Sequence, residues 1–248
     1  MRRQTTNEAT DENPPASATL LLVRDEPFEV LMVRRSSRGT FASALVFPGG
    51  AIEPEDASAE WEPFVEDFAA FDPDERARRI GAIRETWEET SILVGASGQV
   101  EPAGILTGRG LRDFVRQSGT RLRLDALATL AHWITPITEP RRFDTRFYVA
   151  HAPQGQVAVA DGNEIVGVEW VSPSQAAQAA RRGESPIIFP TLMNLDRLAE
   201  AGSAAAVIAA AIERPAFTVM PVIETGDDGS RVIVIPAKAG YAVTRFSP

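Results

Sequence analysis

The first part of the chain contains short apolar runs that predict β-strands. Residues 18–23 and 28–33 are mostly apolar, and the polar turn 24–27 between them contains a proline. Two apolar runs joined by such a turn are typical of a β-hairpin. A third run, 45–47, stops at the Pro-Gly-Gly sequence of residues 48–50, which predicts a strand that ends abruptly.

Helical and strand patterns alternate through the rest of the chain. Asp72 followed by Pro73 is a helix-start signal, and the helix is expected over 74–91. The strands predicted after it are 128–135, 146–150 and 165–171. The helices predicted after it are 173–182, 190–198 and 202–213. The runs 217–223 and 231–235 flank an Asp-Asp-Gly turn signal, so they predict a final β-hairpin.

Residues 51–75 differ in composition from their surroundings. They contain ten acidic residues and no lysine or arginine. Phe64, Phe68 and Phe71 are spaced at helical intervals, so this segment is expected to form a short acidic amphipathic helix. Its role is open between a lid over a substrate and a contact with a second subunit.

The mixture of hairpins and helices predicts an α+β fold arranged as an α/β/α sandwich. Residues 1–15 are polar with two prolines and are expected to be a disordered tail. The main domain is expected over 16–200. Residues 201–248 are expected to form a C-terminal extension, a helix plus a β-hairpin, packed on the same domain.

The composition excludes several classes of chemistry. The chain has no cysteine, two histidines and one lysine, which removes thiol nucleophiles and nearly all zinc sites. Carboxylates, which bind hard cations, and arginines, which bind phosphate, remain. The net charge of −9 argues against nucleic acid as a partner. Neither a signal peptide nor an apolar run long enough to span a membrane is found, so a cytoplasmic protein is expected.

The helix predicted over 74–91 has three glutamates on one face. At about 100° per residue, Glu85, Glu88 and Glu89 lie within about 100° of one another, opposite an apolar stripe. Like charges at these spacings repel one another. The face is therefore either solvated and relieved by arginines such as Arg84, or it binds a divalent cation.

These residues resemble the Nudix box, G-x5-E-x7-R-E-U-x-E-E-x-G-U, in which U is a bulky apolar residue. Gly50 matches its first glycine, and residues 84–89 match its R-E-x-x-E-E part. Asp56 stands where the first glutamate is usual, and Glu53 and Glu55 compete for the same role.

The sequence departs from the box at three places. The spacer between Asp56 and Arg84 has 27 residues instead of seven, so an insertion lies inside the box. Thr86 occupies an apolar position, and Ser91 replaces the last glycine.

Further segments resemble the acyl-CoA diphosphatase branch of the Nudix superfamily, the peroxisomal type and its bacterial relatives. These segments are residues 30–36, 46–50, 133–136, 142–147 and 190–192. The resemblance covers about residues 17–200. The signature of other CoA-cleaving Nudix enzymes is present only in part.

The resemblance implies a Nudix fold, a mixed β-sheet between helices. It implies that Glu85, Glu88 and Glu89, with Gly50 beside them, hold Mg²⁺ or Mn²⁺, and that Arg84 orients the carboxylates. The chemistry it implies is hydrolysis of a nucleoside diphosphate linked to another moiety, in which the cation neutralises charge and activates water.

Several residues outside the helix are further candidates for the site. Glu164 is either an additional metal ligand, a general base or a solvated turn residue. The candidate substrate-binding residues are Arg35, Arg38, Gly49, Gly50, Arg142 and Arg146. Structural ion pairs are the alternative role for the arginines.

Three functional hypotheses follow. The first is a metal-dependent diphosphatase for a small nucleotide-linked substrate, CoA or acyl-CoA, cleaved to 3′,5′-ADP and (acyl-)phosphopantetheine. The second is a Nudix pyrophosphatase for ADP-ribose, NADH or a dinucleotide. The third is a Nudix-like module that senses a nucleotide without cleaving it. A homodimer is possible under each.

Overall fold

The structure is a computed structural model, and it describes residues 13–37, 42–98, 100, 110–226 and 228–247. The disordered tail predicted over 1–15 therefore lies mostly outside the described residues. At its end, however, the carbonyl oxygen of Pro15 accepts a hydrogen bond of 3.0 Å from the Asp144 N–H. Within the described ranges, no helix is both long enough and apolar enough to cross a membrane.

Eleven strands form two sheets in the described part of the chain. The strands of the larger sheet are β1 (Ala16–Arg24), β2 (Glu29–Arg35), β3 (Leu45–Val46), β4 (Gly49–Ala51), β5 (Ala128–Ile134), β6 (Asp144–His151), β7 (Ile165–Val171) and β8 (Thr218–Val219). The strands of the smaller sheet are β9 (Val222–Thr225), β10 (Arg231–Val234) and β11 (Arg245–Phe246).

Strand β1 lies at the centre of the larger sheet, which is ordered β3-β2-β1-β6-β5-β8. It runs parallel to β6 over its length and antiparallel to β2 and β4 at its two ends. Strand β7 pairs with β2. The sheet is therefore mixed, as the sequence predicts.

Helices cover both faces of the larger sheet. They are α1 (Pro73–Thr90), α2 (Leu111–Ser118), α3 (Pro173–Arg181), α4 (Phe189–Ala201) and α5 (Ala204–Glu213). Successive side chains of β1 point to opposite faces of the sheet and pack into two separate hydrophobic cores. Leu20 and Leu22 pack with Ile80 and Ile83 of α1, whereas Leu21 packs with α4 and α5. This arrangement confirms the α/β/α sandwich.

The acidic insertion is not the amphipathic helix that its phenylalanine spacing predicts. It forms two short 3₁₀ segments, Ala59–Phe64 and Phe68–Ala70. Pro63 lies inside the first segment and has no N–H to continue an α-helix. Asp67 has a φ of 47°, which is incompatible with a right-handed helix and separates the two segments. Trp61 is buried and anchors the insertion in the core.

The C-terminal segment contributes side chains to the core shared by α4 and the sheet, among them Val207, Ile235 and Tyr241. The predicted hairpin is present as β9 and β10. The first predicted run, 217–223, is nevertheless split, because β8 pairs with β5 in the larger sheet and β9 pairs with β10. Pro221, which cannot donate to a strand ladder, lies between them.

Candidate active site

Helix α1 positions the glutamates. Asp72 caps its start by accepting a 3.0 Å hydrogen bond from the Glu75 N–H, and Pro73 occupies its first turn. The helix ends at Thr90, and Ser91 follows in the left-handed conformation with a φ of 60°. This residue has replaced the last glycine of the Nudix box, at a position where the backbone favours glycine.

Glu85, Glu88 and Glu89 lie at different depths on this helix. Their side chains are 18%, 41% and 6% exposed, so Glu89 is the buried member. Burial raises the pKa of all three carboxyl groups, and it raises that of Glu89 to about 8 although the Gly49 N–H opposes the shift. The expected solvated face is thus only partly solvated.

Two glycines bring the backbone against these carboxylates. The Gly49 N–H donates a 3.0 Å hydrogen bond to Glu89 Oε2. A Cβ at Gly49 would lie 2.4 Å from the Ala18 carbonyl oxygen, in a backbone with a φ of +154°. A Cβ at Gly50 would lie 2.5 Å from the carboxylate of Glu85. Glycine is therefore required at Gly49, where a Cβ would meet the backbone, whereas a Cβ at Gly50 would displace the Glu85 carboxylate.

Arg84 connects the insertion to the carboxylates. Its Nε and Nη2 bind the two oxygens of Asp56 at 2.9 and 3.0 Å, and its Nη1 lies 2.9 Å from Glu85 and 3.0 Å from Glu88. Burial lowers the pKa of Arg84, but the Asp56 hydrogen bond and the surrounding carboxylates outweigh that effect and hold it above the ordinary value. The repulsion between Glu85 and Glu88 is thus relieved by a shared guanidinium.

The partner of Arg84 is Asp56 and not one of its acidic neighbours. The Asp56 side chain is 0% exposed, and it also accepts a 2.9 Å hydrogen bond from the Glu53 N–H. Glu53 is 59% exposed and only approaches Arg84 to 4.0 Å, and Glu55 pairs with Arg112 at 2.8 Å. The 27-residue spacer therefore leaves the position matched by Asp56 in place.

Arg35 and Glu164 lie beside Glu89. Arg35 Nη1 is 3.8 Å from Glu89 Oε1, and Arg35 Nη2 is 3.6 Å from Glu164 Oε2. The Arg35 Nε is buried and has no hydrogen-bond partner among the described residues. Glu164 is 68% exposed. A cationic group with an unused donor thus stands next to the carboxylates.

These groups lie at one end of a cleft of about 860 Å³. Its polar end is lined by Arg35, Gly49, Gly50, Glu85, Glu89 and Glu164. Its other parts are lined mainly by apolar and hydroxyl side chains from β1, β5, β6, the start of α4 and the C-terminal hairpin.

Two of the predicted substrate-binding arginines lie elsewhere. Arg142 and Arg146 are absent from the described residues that line the cleft. The Arg142 Nε donates to the Thr135 carbonyl oxygen at 3.2 Å. Arg146 lies between Thr145 and Phe147, which line the cleft, so strand alternation turns Arg146 to the opposite face of the sheet. Arg38 falls outside the described residues.

Thr86 and His132 have structural contacts. Thr86 is fully buried, and its hydroxyl donates to the Ala82 carbonyl oxygen at 2.8 Å, so a polar residue is accommodated at an apolar position of the box. His132 bridges Thr218 and Asp144, on the face of the sheet opposite the cleft.

The donor set at α1 fits a hard divalent cation in its chemistry. The available groups are carboxylate and backbone oxygens, which Mg²⁺ and Mn²⁺ prefer, and Gly50 leaves the carboxylate of Glu85 unobstructed. Within the described residues, no three acidic or histidine side chains converge in a metal-holding arrangement. Glu85 and Glu88 are instead held by Arg84, so they would have to turn from it towards a cation.

Sequence reasoning identifies no individual residue in the distant part of the cleft, although closure of the site by the last 35 residues is one of its hypotheses. Ser17 and Thr145 bring their hydroxyl oxygens within 2.7 Å of each other, although they are 128 residues apart in sequence. The wall formed by Pro221, Ile223 and Ile233 comes from the C-terminal hairpin. No local pattern in the sequence links these positions to residues 49–89.

A mixed sheet between helices, with an R-E-x-x-E-E helix facing a Gly-Gly turn, defines a Nudix hydrolase fold. The crystal structure of a Nudix hydrolase from Alicyclobacillus acidocaldarius is similar with a TM-score of 0.69 and 28% sequence identity, over 79% of this chain and 96% of that one. The family model of the NUDT19 Nudix domain matches residues 64–198, which is more than half of the chain. The chain therefore belongs to the NUDT19 Nudix domain family.

Two curated relatives are named acyl-coenzyme A diphosphatase NUDT19. The Homo sapiens protein is 29% identical over 72% of this chain and 62% of its own length. The Gallus gallus protein is 30% identical over 69% of this chain and 61% of its own length. The chain thus spans about three fifths of the length of these relatives.

Proposed function

We propose that this protein is a metal-dependent diphosphatase that cleaves CoA or acyl-CoA to 3′,5′-ADP and (acyl-)phosphopantetheine. The observation that carries the proposal is that the carboxylates of α1 meet the turn at Gly49 and Gly50 at one end of a large cleft. The names of the curated relatives support the choice of substrate.

Glu85, Glu88 and Glu89, with the backbone oxygen of Gly50, would hold the cation. Nudix hydrolases generally use divalent metal ions. A bound Mg²⁺ or Mn²⁺ supplies positive charge against the diphosphate and activates water for attack on phosphorus. The Nudix box brings these three glutamates to one face of α1, so they carry the assignment.

Arg84 acts as a positioning residue in this proposal. It holds the carboxylates of Glu85 and Glu88 at 2.9 and 3.0 Å, while Asp56 takes two of its donors. Because Asp56 fixes the guanidinium from behind, Arg84 can release the glutamates to a cation without leaving its own charge unpaired in a buried place.

Arg35 and Glu164 are assigned to the substrate side of the site. Arg35 has a buried Nε without a partner in the described structure, and its guanidinium faces the cleft, where a diphosphate oxygen would be bound by charge-assisted hydrogen bonds. Glu164 is exposed at the same end of the cleft and is the candidate general base that takes the proton of the attacking water.

The test is an activity screen of the full chain against a substrate mixture. The purified protein is incubated with Mg²⁺ or Mn²⁺ and with CoA, acetyl-CoA, ADP-ribose, NADH and diadenosine polyphosphates, and the products are identified by mass spectrometry. Glu89→Gln is compared with the wild type, because glutamine can still accept the Gly49 hydrogen bond. Glu213→Gln, at an exposed position at the end of α5, is the matched control.

We expect release of 3′,5′-ADP from CoA substrates by the wild type and by Glu213→Gln. Glu89→Gln should be slower by about 100-fold or more, because cation-borne charge stabilisation amounts to several kcal/mol. Cleavage of ADP-ribose or NADH alone would contradict the choice of substrate while keeping the chemistry. Binding without turnover of any compound would favour the sensing module.

A further inference from the structure

The cleft runs across the strands of the larger sheet, from the carboxylates to the C-terminal hairpin. Paired residues form one row over five adjacent strands: Ala51 pairs with Ser17, Ser17 with Thr145, Thr145 with Trp133, and Trp133 with Val219. The first four residues of this row line the cleft. These four residues span three strand spacings of about 4.8 Å, which is about 14 Å.

The chemistry of the lining changes along this row. The carboxylate end is polar, and it is followed by the hydroxyl pair of Ser17 and Thr145. Beyond Trp133 the lining becomes mostly apolar, although the charged residues Glu139, Arg141 and Arg231 also contribute to it. The apolar residues at this far end are Trp133, Phe143, Ile188, Phe189, Pro221, Ile223 and Ile233.

The far wall is made by the hairpin. Ile223 of β9 is paired directly with Ile233 of β10, so their side chains lie on the same face, and both line the cleft. The neighbouring Val222 is turned to solvent and is 59% exposed. An ion pair between Arg231 and Glu139 joins the hairpin to the loop between β5 and β6, which closes the far end of the cleft.

We propose that this apolar end binds the acyl chain of an acyl-CoA and that Ile223 and Ile233 set the preferred chain length. This inference rests on the proposed function, which it makes more specific. Ala51, beside the glutamates, and Trp133, where the apolar wall begins, are three strand spacings or about 14 Å apart, and this separation suits a ligand whose apolar group follows a polar linker. ADP-ribose and dinucleotides carry no aliphatic chain to place against Ile223 and Ile233, and free CoA would leave this end in contact with water.

The test compares substrates that differ only in the acyl chain. The value of kcat/KM is measured for CoA, acetyl-CoA, hexanoyl-CoA and decanoyl-CoA with the wild type, Ile223→Ser and the control Val222→Ser. Ile223→Val is included as a milder change that keeps the hairpin apolar. Thermal unfolding of each variant verifies that it folds.

We expect the wild type to prefer decanoyl-CoA over CoA by at least about tenfold, since each well-placed methylene contributes a several-fold preference. Ile223→Ser should lower kcat/KM for decanoyl-CoA by about four- to tenfold and leave CoA unchanged. Ile223→Val should reduce it by about two- to fourfold, and Val222→Ser should match the wild type. Equal losses of kcat/KM for CoA and decanoyl-CoA in Ile223→Ser, or no chain-length preference in the wild type, would overturn the inference.

A binding measurement separates failure of this inference from failure of the proposed function. Calorimetric titration of CoA and decanoyl-CoA into the wild type and Ile223→Ser, with EDTA present, does not depend on turnover. Tighter binding of decanoyl-CoA that is lost in Ile223→Ser supports the acyl site even if no CoA is cleaved. Cleavage of CoA with equal affinity for both ligands would retain the diphosphatase and reject the acyl site.

Discussion

Removal of the Asp56 carboxylate should destabilise the protein strongly, and Asp56→Ala is the change that shows it. Asp56 is 0% exposed, and it binds Arg84 through both oxygens at 2.9 and 3.0 Å. It also accepts the Glu53 N–H at 2.9 Å. Its loss leaves the buried Arg84 guanidinium and the part-buried Glu53 N–H without these acceptors.

The magnitude follows from what Arg84 retains. Breaking a buried ion pair by removing one partner costs about 3–5 kcal/mol. Arg84 keeps Glu85 and Glu88 at 2.9 and 3.0 Å, which places the loss near the lower end of that range. The lost N–H hydrogen bond adds about 1 kcal/mol. We therefore expect Asp56→Ala to lower the free energy of unfolding by about 3–4 kcal/mol.

Urea denaturation followed by circular dichroism measures this difference. Glu53→Ala is the matched control, because Glu53 is 59% exposed and 4.0 Å from Arg84. Its effect should stay within about 0.5 kcal/mol. The reasoning would be refuted by an Asp56→Ala protein within about 1 kcal/mol of the wild type, or by equal losses for the two variants.

Three further predictions concern single positions. Gly81→Ala should destabilise by about 1–2 kcal/mol in urea unfolding despite the higher helix propensity of alanine, since its Cβ would lie 2.9 Å from Asp56 Oδ2; a gain in stability would contradict this. Ser91→Gly should raise the unfolding free energy by about 0.5–1 kcal/mol, because Ser91 has a φ of 60°, and an unchanged urea midpoint would argue against strain there. Burial raises the pKa of Asp144, but the His132 hydrogen bond and the Arg78 charge outweigh it and lower that pKa below 3.8. A carboxyl group with a lowered pKa stabilises the fold at pH values above its ordinary pKa, and this contribution is lost as the pH falls. Asp144→Asn should therefore lower the free energy of unfolding by about 1–2 kcal/mol at pH 7 and by less at pH 3. An equal difference at both pH values would exclude this linkage.

Local sequence signals predicted most of the fold because they act over short distances. The start signal at Asp72 and Pro73 placed α1, which begins at Pro73. The prediction of an amphipathic helix in the insertion is wrong because Pro63 and the backbone of Asp67 prevent a continuous helix, whatever the spacing of the three phenylalanines. The predicted strand over 217–223 is split for a similar reason, since Pro221 lies between β8 and β9 and cannot donate a ladder hydrogen bond.

The site was predictable where its residues share one helix or one turn. Glu85, Glu88 and Glu89 share one face of α1, and the Gly-Gly turn lies beside them, with the Gly49 N–H in contact with Glu89. The positions of the other site residues depend on which strands pair in the sheet, and no local sequence pattern predicts that pairing. Arg146 was expected to bind substrate, but one step of strand alternation from Thr145 puts it on the other face of β6.

The repulsion between the three glutamates is one reason that the sequence predicts a cation site. In the structure, the three carboxylates have different partners that relieve this repulsion. Glu85 and Glu88 share Arg84, whereas Glu89 relies on the Gly49 N–H and the more distant Arg35. Burial raises the pKa of Glu89 to about 8, although the Gly49 N–H and the charge of Arg35 oppose the shift. A cation beside Glu89 would therefore stabilise its charged form, because the positive charge would offset the effects of burial and of the neighbouring carboxylates on its pKa. This is the physical reason that Glu89→Gln, and not a change at the exposed Glu88, is the decisive variant for the proposed chemistry.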